Sequence, residues 1–109
     1  MRIFVDDIRE TPPGYVRCYT VGEALELIVD CYKRDIPIEE ISLDHDAGDF
    51  GQDYIHILYW LEEMLYLAGV DYVKDTEFYL HTGNPVGRDN MWRIIKKCGW
   101  KFKEDAEDF

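Results

Sequence analysis

The sequence predicts an α/β domain built on a mainly parallel sheet of four to five strands. Short apolar runs that stop at acids or turn residues alternate with longer stretches whose apolar residues recur every three or four positions. Strands alternating with helices make parallel sheets with helices packed on their faces. The 109 residues, 47% of them apolar, suffice for one core and leave little room for a second.

The elements follow in order. "RIFV" (2–5) is a short apolar run ended by Asp6 and Asp7, and reads as a buried strand. "DIRETPPG" is a loop stiffened by Pro12 and Pro13. "YVRCYT" (15–20) alternates and reads as a second strand. No helix fits between these two strands, so a parallel return needs an extended loop, and the direction of the second strand stays open. Thr20 and Glu23 form a capping box ahead of a helix whose face is Val21, Ala24, Leu25, Ile28, Val29 and Tyr32. "DIPIEE" breaks that helix, "ISL" (41–43) is the third strand and "GDFG" a turn. Residues 53–68 make a second helix, with Glu62 and Glu63 on its wet side. "EFYL" (77–80) is the fourth strand. Asn84 caps a third helix that starts at Pro85, buries Met91, Ile94, Ile95 and Cys98, and stops at Gly99. "WKF" (100–102) reads as a short last strand. The domain is expected over 1–103, with an acidic, flexible tail over 104–109.

Charge narrows the function. With 23 acids against 12 bases the formal net charge is −11, which argues against an extensive nucleic-acid surface. A small phosphate ligand held by local donors, or a divalent cation, remains compatible with an acidic body. No signal peptide or membrane span is legible, so the expectation is a cytoplasmic protein without a membrane partner. Cys18, Cys31 and Cys98 are odd in number and widely spaced, which argues against a disulfide framework or a zinc ribbon and points to packing.

In open parallel sheets, ligands bind beyond the carboxyl ends of the strands. Three strands here end in polar, reactive residues: Asp6, Asp7 and Arg9; Asp44, His45 and Asp46; His81, Thr82 and Asn84. Adjacent acids at a buried strand end need a cation or an arginine. Arg9 suits that role, or two-pronged phosphate binding. Asp6, Asp7 and Asp44 offer hard oxygen ligands for Mg²⁺ or Mn²⁺. "GNPVG" (83–87) leads into a helix whose first N–H groups form an anion site, to which Thr82, Asn84, Gly87 and Arg88 contribute. Each group also has a structural reading. Asp6 and Asp7 can end a strand, Asp44 can cap a turn, and each histidine can be a hydrogen-bonded packing residue. His56, mid-helix, reads as packing or surface. Tyr15, Tyr19, Tyr54 and Tyr59 have the chemistry to stack a base, although tyrosines on such elements mostly pack.

"FVDDIR", "ISLDHDAG" and "HTGNPVGRDNM", in this order, resemble the cyclic-phosphate processing receiver-like family. The resemblance spans residues 2 to about 98. It implies a small flavodoxin-like (receiver-like) three-layer sandwich, with the first helix missing or shortened. It also implies that Asp6 and Asp7 match the acidic pair that holds magnesium in receivers, and that Asp44 matches their phosphoacceptor. It would also make His45 and His81 paired catalytic histidines; in the mechanism read here, Asp6 and Asp46 would orient and charge them. Only Lys101 stands near the receiver's last-strand lysine, which weakens phosphorelay signalling.

The expected function is hydrolysis of a cyclic phosphate, of the cyclic nucleotide or RNA-end 2′,3′ type. His45 and His81 would share the acid and base roles. Arg9, Thr82, Asn84, Gly87 and Arg88 would hold the phosphate. The alternatives are a non-enzymatic nucleotide- or phosphate-binding module and a receiver-type signalling domain. The sequence does not choose between a metal site and an Asp–Arg–His network.

Overall fold

The computed structural model describes residues 1–103, and the acidic stretch 104–109 lies outside them. Strands β1 (Arg2–Val5), β2 (Tyr15–Cys18), β3 (Glu40–Leu43), β4 (Glu77–Leu80) and β5 (Lys101–Phe102) form one sheet in the order β2-β1-β3-β4-β5. Every pairing is parallel. The helices are α1 (Val21–Lys33), α2 (Ile55–Glu63) and α3 (Pro85–Lys97), and α2 runs on into a π-helical turn over Met64–Ala68. This is the α/β, receiver-like architecture read from the sequence.

The direction of β2 is settled by its register, Arg2 against Tyr15 and Val5 against Cys18. Residues 6–14 must therefore return the full length of the strand without a helix. The Tyr15 amide donates to the Pro12 carbonyl at 3.3 Å, and Gly14 turns the chain at φ +86°, where a side chain would be strained.

The sheet order decides where the helices go. The steps β2 to β3, β3 to β4 and β4 to β5 all advance the same way across the sheet. Right-handed crossovers then put all three helices on one face. The core confirms it: Ile3, Val5, Ile41, Leu43, Phe78 and Leu80 pack with Ala24 and Ile28 of α1, Leu58 and Leu61 of α2, and Met91 and Ile95 of α3. The one connection running the other way, β1 to β2, is the loop without a helix. Of the three layers of the expected sandwich, the described residues thus build two. The other face carries the row Arg17–Phe4–Ser42–Tyr79, set by register and by the two-residue alternation of strands.

Both expected caps are in place. The Thr20 hydroxyl accepts from the Glu23 amide at 3.0 Å, and the Asn84 side-chain carbonyl accepts from the Gly87 amide at 3.0 Å, with Pro85 opening α3. Two core assignments change. Tyr32, expected on the buried stripe of α1, is 52% exposed and meets Tyr72 edge-on, because α1 is in its last turn there. Cys98 caps α3, past the helix's last full turn, and is half-buried, its thiol 4.0 Å from the Glu62 carboxylate. Burial pushes the Cys18 and Cys98 thiols up to about 11 and raises Cys31 too, so all three stay protonated and inert. No helix among the described residues is long and apolar enough to cross a membrane.

Candidate active site at the carboxyl edge of the sheet

Asp6, one residue past β1, is fully buried and has four donors. Its Oδ1 accepts from the Ile8 and Arg9 amides at 2.8 and 2.9 Å. Its Oδ2 accepts from the Arg9 guanidinium at 3.1 Å and from His81 Nε2 at 2.8 Å. Burial pushes this carboxyl up, but the hydrogen bonds from the Arg9 and Ile8 amides, His81 and the Arg9 side chain outweigh it and hold Asp6 at about 2. The same Arg9 nitrogen lies 3.6 Å from Asp44 Oδ2. Arg9 thus sits between two buried carboxylates and balances their charge.

His81 follows β4 on the helix-free face. Its ring stacks on Phe4 at 4.6 Å and 6°. Asp6 can only accept, so Nε2 carries a proton, and Nδ1 accepts from the Ser42 hydroxyl at 2.7 Å. Burial lowers its pKa below the ordinary 6.5, against the opposing pull of the Asp6 charge, and keeps the ring neutral. Both ring nitrogens are thereby committed inside the protein.

His45 lies elsewhere. Its amide donates to Asp44 Oδ1 at 2.8 Å, and its ring rests on the Gly87 backbone in the first turn of α3. A Cβ on Gly87 would stand 2.5 Å from His45 Cγ and Cδ2. Nδ1 faces Asp46 Oδ1 at 2.8 Å, so Nδ1 carries the proton and Nε2 of the neutral ring is the basic nitrogen. The Asn84 amide group also reaches Asp46 Oδ1, at 3.5 Å. His45 and His81, expected as an acid–base pair, have no contact partner in common among the described residues. His81 lies against Phe4 and Ser42, whereas His45 lies against α3, because the strand alternation sends the two residues to opposite sides of the sheet edge.

The remaining expected residues divide. Thr82 Oγ1 accepts from the Asn84 amide at 3.1 Å and shapes the turn into α3. The Gly87 amide serves the Asn84 cap, and the close His45 ring is what requires a glycine there. The Arg88 guanidinium lies 5.6 Å over the Phe102 ring on β5. Asp6, Asp7 and Asp44 do converge, with oxygens within 4.8 Å of one another. As the side chains stand they do not fit a divalent ion. The lone pairs of Asp6 are taken by four donors, and Arg9 is the cation facing both Asp6 and Asp44.

Two contributors, Ser42 and Arg17, were missed in the sequence, and Tyr54 was read only as a stacking or packing ring. Ser42 fixes the His81 tautomer. Arg17 on β2 donates to the Asp6 and Arg9 carbonyls and to Thr11 Oγ1, pinning the loop that carries Arg9. Tyr54, fully buried, donates its amide to the His45 carbonyl and its hydroxyl to the Tyr19 carbonyl. Burial and the charges of Asp7, Asp6 and Asp44 push its hydroxyl pKa up. A charged residue in mid-strand was the available signal for Arg17. Ser42 and Tyr54 look like ordinary strand and helix residues.

The model of the cyclic-phosphate processing receiver domain matches residues 1–97. No match was found among curated proteins or among solved structures. The fold, the helix-free link between the first two strands and the matched span agree: the chain belongs to the cyclic-phosphate processing receiver domain family.

Proposed function

We propose that the protein hydrolyses a cyclic phosphodiester, with His45 as the single acid–base group and Arg9 as the phosphate-holding cation. The observation that carries this reading is the Asp46–His45 pair seated on Gly87, with Nε2 left as the basic nitrogen. Nε2 takes a proton from water as the water oxygen attacks phosphorus. The ring P–O bond breaks, and the imidazolium returns the proton to the departing ribose oxygen. Water and cyclic diester become one phosphomonoester. Such proton transfer is worth about 10²–10⁴-fold. Arg9, 49% exposed and anchored through Asp6, presents further N–H donors to the phosphoryl oxygens. Ser42 holds His81, His81 holds Asp6, and Asp6 holds Arg9, so they position rather than react.

The test is ³¹P NMR of the protein with a panel of 2′,3′- and 3′,5′-cyclic nucleotides, with and without EDTA. His45→Gln is expected to abolish turnover, His81→Gln to weaken it, and EDTA to leave it unchanged. Turnover that survives His45→Gln would sink the assignment, and loss in EDTA would restore a metal at Asp7 and Asp44. Binding of cyclic nucleotides without turnover by any variant or the wild type would favour the phosphate-binding module instead.

A further inference from the structure

We propose that Tyr19 and Phe50 form a base-stacking subsite beside this cleft, selecting nucleoside phosphates over base-free phosphates. The inference rests on the phosphate-site reading above and names what lies beyond the phosphate.

Four large apolar side chains are exposed past the strand ends at the carboxyl edge: Ile8 and Tyr19 on loops, Phe50 on the 3-10 turn after β3, and Val86 in the first turn of α3. Exposed apolar groups gathered around a polar cleft mark a binding rim. Two of them make a built surface. The Tyr19 and Phe50 rings stand 5.1 Å apart at 32°, 40% and 44% exposed. The Arg17 guanidinium lies 4.4 Å over the Tyr19 ring and continues the stack.

The pair is tied to the cleft at two points. Tyr54 donates to the backbone carbonyls of both His45 and Tyr19, and Arg17, which lies over the Tyr19 ring, donates to the Arg9 carbonyl, so the aromatic pair is joined to both proposed groups. The turn carrying Phe50 sits directly on the acidic cluster. Gly48 approaches Asp7 so closely that a Cβ there would lie 2.7 Å from Asp7 Oδ2. A flat heteroaromatic ring attached to a phosphate held by Arg9 would therefore meet these two side chains. Aromatic stacking accepts any base, because every base has a π-face. The excess of 23 acids over 12 bases disfavours a long polyanion, so the occupant is a single nucleotide.

The experiment titrates three probes into the full chain: adenosine 3′-monophosphate, inorganic phosphate and adenosine. Kd is read by calorimetry, and the Tyr19 and Phe50 ring resonances by NMR. The nucleotide is expected to bind about 5- to 150-fold more tightly than phosphate, the equivalent of about 1–3 kcal/mol of stacking. Tyr19→Ala and Phe50→Ala should remove most of that ratio while leaving phosphate binding unchanged, and Phe50→Trp should keep it. Both side chains are exposed, so the variants fold. Equal affinity for nucleotide and phosphate, or an unchanged ratio in both alanine variants, overturns the subsite. The two readings fail separately. Adenosine that shifts both rings without any turnover of cyclic nucleotides sinks the hydrolysis and supports the subsite. Turnover indifferent to Tyr19 and Phe50 does the reverse.

Discussion

Gly87→Ala separates the placement of His45 from the integrity of the fold. The added Cβ would stand 2.5 Å from His45 Cγ and Cδ2 and 2.8 Å from Nδ1, where ordinary contact begins at 3.4 Å. Because Gly87 lies in the first turn of α3, its backbone is fixed by the Asn84 cap, and the imidazole must retreat by about 1 Å. Its 2.8 Å bond to Asp46 would lengthen beyond hydrogen-bonding range. A misplacement of about 1 Å costs about 10²-fold in rate. Stability should fall by no more than about 2 kcal/mol. Replacing glycine by alanine in a helix contributes up to about 1 kcal/mol, and the local overpacking opposes it by about 1–3 kcal/mol. The assay is the initial rate of cyclic-phosphate opening, beside thermal unfolding and a long-range ¹H–¹⁵N spectrum of the His45 ring. The expected result is a rate about 100-fold lower, an altered His45 tautomer signature and a lowered Tm with a single cooperative transition. A variant that keeps wild-type rate and the Nδ1–H···Asp46 signature would refute the assignment of His45.

Other outcomes follow from the same network. Asp6, at about 2 when folded and 3.8 when unfolded, contributes about 2.5 kcal/mol that is fully present above pH 3.8 and lost as the pH falls through 2. Denaturant melts should show that loss in the wild type and not in Asp6→Asn. His81, depressed below 6.5 by burial, contributes stability present above pH 6.5 and lost as the pH falls below it. NMR titration should place its pKa under 6.5, and Asp6→Asn should lower it further by removing the carboxylate that favours the charged form. Arg9→Gln should cut kcat about 10²–10³-fold, the usual loss for one donor to a developing phosphoryl charge, with near-native circular dichroism. Ser42→Ala should change the His81 tautomer balance in ¹⁵N spectra while moving the rate far less than His45→Gln.

Much of the fold was legible because it is written in local chemistry. Thr20 with Glu23, and Asn84 with Pro85, announce two helix starts by capping alone. Apolar runs stopped by Asp6, Asp44 and His81 mark strand ends and bring sequence-distant charges to one edge. Tyr32 and Cys98 were misread because both fall where a helix ends, and periodicity does not see an end. The site was legible as a set of residue types but not as partnerships. Arg88 was legible by its charge in the first turn of α3, but its place over Phe102 was not.

The spacing of apolar and polar residues settled the class of the fold and the edge on which its polar and charged residues gather. Both follow from local backbone preference and from burying one face of each element. Which charges meet depended on register and on the hand of the crossovers. Those send all three helices to one face, seat His81 on the other against Phe4 and Ser42, and bring the His45 ring onto Gly87. That is why the paired acids at the ends of β1 and β3 face an arginine, and why two histidines that look equivalent in sequence meet different partners.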